Sequence, residues 1–239
     1  MSVYEVSEIS SLIRDNSYVG RGIVAGRSEN GEKAVFAYFI MGRSENSRNR
    51  VFREKKGELM IYPYDPSKVR DPSLIIYSPV RRCGDSIIVT NGDQTDTVCE
   101  FLRQGKTFEE ALETRCFEPD APNFTPRISA QLSFSGGYRY KMSILKSADE
   151  SGTACCRYTY SYPAIPGLGH FLHTYNGDGT PIPSFTGEPE RVRIPDNVKA
   201  FADTLWDNLN SANKISLYVC GIELSTGREE RYLINKYEQ

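Results

Sequence analysis

The chain has almost no net charge. Its 29 lysines and arginines face 31 aspartates and glutamates, a formal balance of -2 over 239 residues. That leaves no bulk electrostatic attraction for nucleic acid or for an anionic membrane surface, so any anion must be met locally. No run of about 18 apolar residues is present to span a bilayer. Residues 1–16 carry acidic side chains and lack the apolar core of a signal peptide. The expectation is a soluble, cytoplasmic protein that binds neither nucleic acid nor membrane. Histidine is scarce: His170 and His173 are the only two. Even with Asp178 nearby they lack the third well-placed ligand a metal needs, so they are read as rim residues and no metal is expected. The 6 cysteines, at positions 83, 99, 116, 155, 156 and 220, contain no Cys-x-x-Cys pair, and the adjacent Cys155 and Cys156 cannot easily bridge. Reduced, mostly buried thiols are expected. The Gly167-x-Gly169 and Gly177-x-Gly179 pairs lack the strand-turn-helix context of a dinucleotide site, and no Gly-x-Ser-x-Gly occurs. No organic cofactor is called for.

What is present reads mainly as strand. Residues 1–15 carry one weak apolar stripe (Ile9, Leu12, Ile13) and are expected to form a short helical appendage on the surface. Runs 18–25 and 34–41 are rich in β-formers and are joined by residues 28–31, which end in Asn30-Gly31, a hairpin signal. Runs 59–64, 73–80 and 86–90 extend the sheet. Two helices follow, 95–104 with Gly105 as a stop, and 107–115 opened by a Thr107/Glu110 capping box. Strands are expected again at 128–134, 138–145 and 154–162. Residues 163–189 are rich in proline and glycine and read as a long lid or rim loop. A helix over 196–209, capped by Asp196, precedes strands at 215–224 and 230–234. This order lacks the alternation of a parallel sheet. It predicts an α+β fold, a four-layer α-β-β-α sandwich of two mainly antiparallel sheets.

Two stretches carry the candidate chemistry. Residues 115–129 set Glu118, Asp120, Asn123 and Arg127 between Pro119, Pro122 and Pro126, whose fixed φ leaves a polar loop less freedom to lose on binding. The sequence Gly26-Arg27-Ser28-Glu29-Asn30 recurs as Gly42-Arg43-Ser44-Glu45-Asn46. A strand of about nine residues, roughly 30 Å, separates the two, so they lie at opposite ends of one hairpin. The second copy falls beside Tyr18, Gly20 and Arg21, where Arg21, Arg43, Arg48 and Arg50 converge in a nearly neutral protein. Clustered guanidiniums suit a shared phosphate or carboxylate. Residues 90–97 run from a strand end into a helix start; Asn91 has no capping duty there and is read as a ligand contact, with Tyr77 at the same sheet edge.

Taken in order, Tyr18-Val19-Gly20-Arg21, Gly26-Arg27 with Asn30-Gly31, Ile87-Ile88-Val89-Thr90-Asn91-Gly92 with Thr95-Asp96-Thr97, and Phe117-Glu118 followed by Thr125-Pro126-Arg127-Ile128 resemble the archaeal-type IMP cyclohydrolase family. The likeness is clear from about residue 18 to 130 and looser to the C-terminus. It implies an Ntn-hydrolase-like fold, an N-terminal extension over residues 1–17 and a single domain over 18–239. It also implies a cofactor-free enzyme of purine biosynthesis, acting on a small purine ribotide. The family closes 5-formamidoimidazole-4-carboxamide ribotide to inosine monophosphate (IMP) and water, and Arg48, Tyr77 and Glu118 stand at positions it uses in its active site. The chain departs from the family at Cys116, where an acidic residue is expected beside Phe117-Glu118.

The residues fit that reaction. Glu118, Tyr77 and Asn91 are the candidate catalytic groups, Glu118 moving protons and the other two hydrogen-bonding the formyl or carboxamide group. Arg21, Arg43, Arg48 and Arg50 are expected on the 5′-phosphate. Asn123 lines the substrate, and Arg127 either joins it or pairs with Glu118. Two other readings stay open: a non-catalytic purine-nucleotide-binding module, and an Ntn-type amidohydrolase on a linear amide. The second needs a nucleophile opening the first strand, and Ser2 lies too early. Whether copies assemble as a homo-oligomer is also left open.

Overall fold

The computed structural model describes residues 4–55, 58–69 and 76–237. In chain order its elements are α1 (Ile9–Ile13), β1 (Arg21–Arg27), β2 (Lys33–Met41), α2 (Glu45–Arg48), β3 (Val51–Lys55), β4 (Glu58–Tyr62), β5 (Val80–Cys83) and β6 (Ser86–Thr90). There follow α3 (Gln94–Arg103), α4 (Phe108–Glu113), β7 (Arg127–Ser133), β8 (Arg139–Ser147), β9 (Cys155–Pro163), β10 (Leu168–His173), β11 (Glu190–Arg193), α5 (Val198–Asn208), β12 (Lys214–Glu223) and β13 (Glu229–Asn235). The strands form two sheets, one ordered β11-β10-β1-β2-β12-β13 and the other β3-β4-β5-β6-β7-β8-β9. Every neighbouring pair is antiparallel.

Alternation along the strands explains how these sheets find each other, since successive side chains point to opposite faces. Ile23, Ala25, Phe36, Tyr38 and Ile40 of the first sheet share one buried cluster with Ile61, Ile87, Val89, Ile128, Leu132 and Met142 of the second. The alternate residues Val24, Val35, Ala37 and Phe39 face the other way and cluster with Ile9 and Ile13 of α1 and Val198, Phe201 and Leu205 of α5. On the far face of the second sheet, Ile88 and Leu145 pack with Val98 of α3 and Phe108, Ala111 and Leu112 of α4. The capping box at Thr107 and Glu110 starts α4 as expected. Among the described residues no helix is long and apolar enough to cross a membrane.

Several expectations are corrected. Residues 163–189 are not one loop: β10 lies inside them, all six of its residues buried, paired along β1 from Gly22↔His173 to Gly26↔Gly169. Its glycine hid it. A Cβ at Gly169 would press on Ile194 and on the Ala25 carbonyl, so the residue that reads as a loop marker is what lets β1 and the segment after β11 approach. His170 and His173 are therefore buried, at 3% and 5% exposure, rather than at a rim. The lead segment is not a surface appendage, since Ile9 and Ile13 are buried. The cap of α5 is Asn197, whose side chain accepts from Ala200 N at 2.9 Å; Asp196 instead accepts from Asn30 N at 2.8 Å. The start of the expected strand over 73–80 lies outside the described residues, and regular pairing begins only at Val80. Nor are all cysteines reduced: β5 and α3 bring the Cα atoms of Cys83 and Cys99 to 5.5 Å and the two form a disulfide. Of the other four, only Cys220 is fully buried.

Candidate active site

Two adjoining cavities open where β1 begins and β6 ends. The larger, of about 380 Å³, is lined by Tyr18, Arg21, Arg43, Arg50, Asn123 and Tyr175 among others. The smaller, of about 200 Å³, has Tyr77, Asn91, Asp93 and Arg127 in its wall. Arg50, Glu118 and Pro119 belong to both, so these residues mark the passage between the chambers.

The larger chamber is built by the echo of the first hairpin. Gly20 takes a left-handed φ of 77°, and a Cβ there would overlap Thr174 and Tyr175. This turn delivers Arg21 to the start of β1, its backbone N–H donating to Thr174 Oγ1 at 3.1 Å. Nine residues of β2 then carry the chain back to Arg43. Arg43 is partly committed: it pairs with Asp178, donates to Gly179 O at 2.9 Å and lies 5.2 Å over the Tyr18 ring. Arg21 and Arg50 are different. Among the described residues neither guanidinium has a hydrogen-bond or ion-pair partner, and the Arg50 Nε is sealed from solvent without an acceptor. Burial, and then the charge of Arg21, pull the Arg50 guanidinium below arginine's usual range, with Tyr77 and Glu118 opposing. Two arginines that stay charged in a poorly solvated wall favour an anion between them.

Arg48 does not join them. The helical turn α2, closed by a Ser44/Ser47 capping box, rotates it away, and it donates to Gly42 O at 3.0 Å and Asn213 Oδ1 at 3.1 Å. It lines neither chamber. The expected convergence of four arginines is thus reduced to Arg21, Arg43 and Arg50, because a capped helical turn stands between residues 44 and 49.

The proline-rich stretch supplies the floor. Glu118 is half-buried, anchored by its backbone N–H on Thr125 O at 2.9 Å, and its carboxylate has no hydrogen-bond partner among the described residues. Asp120 holds the loop shut by accepting from Thr125 N at 2.6 Å and from the Thr125 hydroxyl. Thr125 Oγ1 also lies 2.6 Å from the Tyr175 hydroxyl, and Tyr175 stacks on Tyr18 with centroids 5.7 Å apart. Burial pushes the Tyr175 phenol up to about 12, which keeps it a neutral hydrogen-bonding group. Asn123 lines the chamber while its Oδ1 accepts from Ile182 N at 3.1 Å. Tyr175 and Thr125 were not anticipated; Tyr175 sits in a segment whose punctuation reads as loop.

In the smaller chamber Tyr77 donates to Asn91 O at 2.8 Å, so the contact of 3.3 Å between the Tyr77 and Tyr38 hydroxyls has Tyr38 as donor. Burial raises the Tyr77 phenol above its ordinary range, so it too is neutral. Asn91 does no capping for α3, but its side chain is engaged elsewhere. Its Oδ1 accepts from Ile128 N at 2.9 Å and Gln94 Nε2 at 3.1 Å, and its Nδ2 donates to Pro126 O at 2.9 Å. These bonds tie the end of β6 to the start of β7. Arg127 does not pair with Glu118: it donates to Asp93 Oδ1 and Gln94 Oε1, each at 2.7 Å. Burial works to raise the Asp93 carboxyl, but Arg115 and Arg127 outweigh it and hold it below the usual carboxylate range. Cys116 is exposed and lines neither chamber.

The chain matches the family model described as IMP cyclohydrolase-like protein over residues 18–226. A protein named IMP cyclohydrolase from Methanopyrus kandleri is 35% identical over 116 residues, covering 47% of this chain and 57% of that one. Its namesake from Methanococcus aeolicus is 28% identical over 162 residues, 66% of this chain and 74% of the relative. That of Methanococcus maripaludis strain C7 is 32% identical over 147 residues, 57% and 71% of the two chains.

Proposed function

Because the chain belongs to the IMP cyclohydrolase-like family, matching its model over residues 18–226, we propose that it closes the second purine ring. In this reading 5-formamidoimidazole-4-carboxamide ribotide becomes IMP and water. The observation that carries the site reading is the pair of guanidiniums, Arg21 and Arg50, that have no partner among the described residues and share a wall with the carboxylate of Glu118, likewise without one there. The 5′-phosphate lies in the larger chamber against Arg21, Arg43 and Arg50, and the reacting amide and formyl groups lie at the passage.

The ring closes when the carboxamide nitrogen attacks the formyl carbon and loses a proton, which Glu118 accepts. The formyl oxygen gains charge, takes up a proton and departs as water, a second proton coming from the formamido nitrogen. Tyr77 contributes by turning its O–H from the Asn91 carbonyl to the formyl oxygen, while Tyr38 continues to donate to it from behind. Asn91 acts by holding Tyr77's resting partner and the β7 end in place. Since both reacting groups are in one molecule, holding them in attack geometry supplies a large share of the rate.

The three apolar clusters support reading the fold as a four-layer α-β-β-α sandwich of the Ntn-hydrolase-like kind. The family match, beginning at residue 18, supports residues 1–17 as an extension to one domain over 18–239. A calorimetric titration with IMP tests the phosphate site. Arg21→Met removes one charge-assisted contact and is expected to weaken binding about 10- to 100-fold. Unchanged affinity in Arg21→Met would move the phosphate elsewhere.

A further inference from the structure

A separate cavity, of about 360 Å³, lies toward the opposite end of β10. Its wall includes Tyr4, Tyr162, Leu168, His170, Glu188 and Arg191, none of which lines either chamber of the site above. Along the chain His170 precedes Tyr175 by five residues, roughly 16 Å of extended backbone.

Two polar groups on this wall have hydrogen bonds to give. His170 is 3% exposed, its ring lies flat on Tyr162 with centroids 3.5 Å apart and planes 13° apart, and its Nδ1 is 2.7 Å from the Tyr140 hydroxyl. The other ring nitrogen, Nε2, has no protein partner among the described residues, and it is not among the buried side-chain atoms cut off from both solvent and partners. It therefore faces the cavity. Arg191 also lines the cavity: its Nε is sealed and finds no acceptor among the described residues, its terminal guanidinium nitrogens are not sealed, and the group lies 6.0 Å over the Tyr4 ring. Among the described residues no carboxylate pairs with Arg191.

The protons on these groups follow from their surroundings. Burial holds the Tyr140 phenol well above its ordinary range, so it keeps its proton. Burial, and then Arg191, pull the His170 imidazole down to about 4, so the ring is neutral at pH 7. A phenol facing a neutral imidazole donates to it, which leaves the ring proton on Nε2. Both open groups are then donors, and Arg191 adds a positive charge. The remaining wall is flat or apolar: Tyr162, Leu168 and Ile165. Glu188, exposed at the rim, disfavours a second negative group.

We propose that this cavity binds a small aromatic oxyanion, a ring bearing one carboxylate or one phosphate, with the oxyanion on Arg191 and His170 Nε2 and the ring against Tyr162. The chain's two histidines make the test direct, because the His170 ring signals in a carbon-proton NMR spectrum have only those of His173 for company. The full chain is titrated with benzoate, with phenyl phosphate and, as a ringless control, with inorganic phosphate. The expected result is a saturable shift of the His170 ring with an aromatic probe, His173 unmoved, weakened at least about tenfold in Arg191→Gln. Tighter benzoate assigns the headgroup as carboxylate, tighter phenyl phosphate as phosphate ester. Conversion of the formylated ribotide by Arg191→Gln, at the unaltered rate, certifies its fold independently of the cavity. Tyr162→Leu, which removes the platform and keeps the charge, also weakens the aromatic probes. A His170 shift that is absent with both aromatic probes, fully reproduced by inorganic phosphate, or undiminished in Arg191→Gln overturns the proposal.

Discussion

Arg50 holds a guanidinium whose Nε is sealed from water and from every acceptor among the described residues, with Arg21 close enough to lower its pKa. An unpaired, poorly solvated cation costs the folded state several kcal/mol unless something compensates, and an anionic ligand shared by both arginines would do so. Binding and stability are therefore expected to move in opposite directions. Arg50→Met should lose about 10- to 100-fold in IMP affinity, while its urea midpoint stays level or rises. A midpoint that falls as far as for a core truncation would show that Arg50 is structural. At this scale the sequence was informative where covalent spacing decides position: the repeated Gly-Arg-Ser-Glu-Asn put Arg43 beside Arg21 because nine residues of β2 return the chain to where β1 starts. It misplaced Arg48, since a single capped helical turn separates it from Arg50. It also could not show that Asp93 takes Arg127, because Asp93 and Arg127 meet only through the pairing of β6 with β7.

Among the elements, β10 carries the main lesson. It is buried along its whole length beside β1, yet Gly167 and Gly169 and the flanking prolines write it as a loop, and the close approach of the Ile194 side chain and the Ala25 carbonyl explains the glycine at 169. The capping box of α4 and the Asn30-Gly31 turn were legible because local hydrogen bonding fixes them. The buried imidazole on β10 gives this strand a pH signature. His170 is surrounded by Tyr140 from β8, Tyr162 from β9 and Arg191 from β11, and its folded pKa of about 4 lies below the ordinary 6.5. Between those values the unfolded chain binds more protons than the folded one, so stability is full above about pH 6.5 and falls as pH drops toward 4. The loss from this group amounts to at most about 3 kcal/mol. Urea unfolding at a series of pH values should show His170→Gln with a flatter acid limb over that interval. An identical slope in the variant would mean that His170 is not buried neutral.

For the molecule as a whole, residues of both sheets share one buried core, and the site falls where strand ends of both sheets meet. Arg21 opens β1 of one sheet, Arg127 opens β7 of the other, and Tyr77 lies just before β5. Periodicity in the sequence was sufficient to predict two antiparallel sheets and a few helices, because alternation and helical stripes are local. Sheet order and the Cys83–Cys99 bridge were not legible, being set by which strands become neighbours. That bridge closes a short loop, 16 residues in sequence separation, between β5 and α3. Cys83→Ser should cost about 3 kcal/mol in urea unfolding, and the intact mass of the non-reduced protein should be two hydrogens lighter than after reduction. Equal masses would mean that the thiols are free.

The central claim is that this chain closes the purine ring with Glu118 as its proton carrier. The most direct measurement is a spectrophotometric assay of the purified protein with 5-formamidoimidazole-4-carboxamide ribotide, following hypoxanthine absorbance over the spontaneous rate. IMP formation that depends on the protein, with turnover down about 10²- to 10⁴-fold in Glu118→Gln and IMP affinity nearly unchanged, is the predicted result. No acceleration by the unaltered chain, or full turnover in Glu118→Gln, would contradict the account.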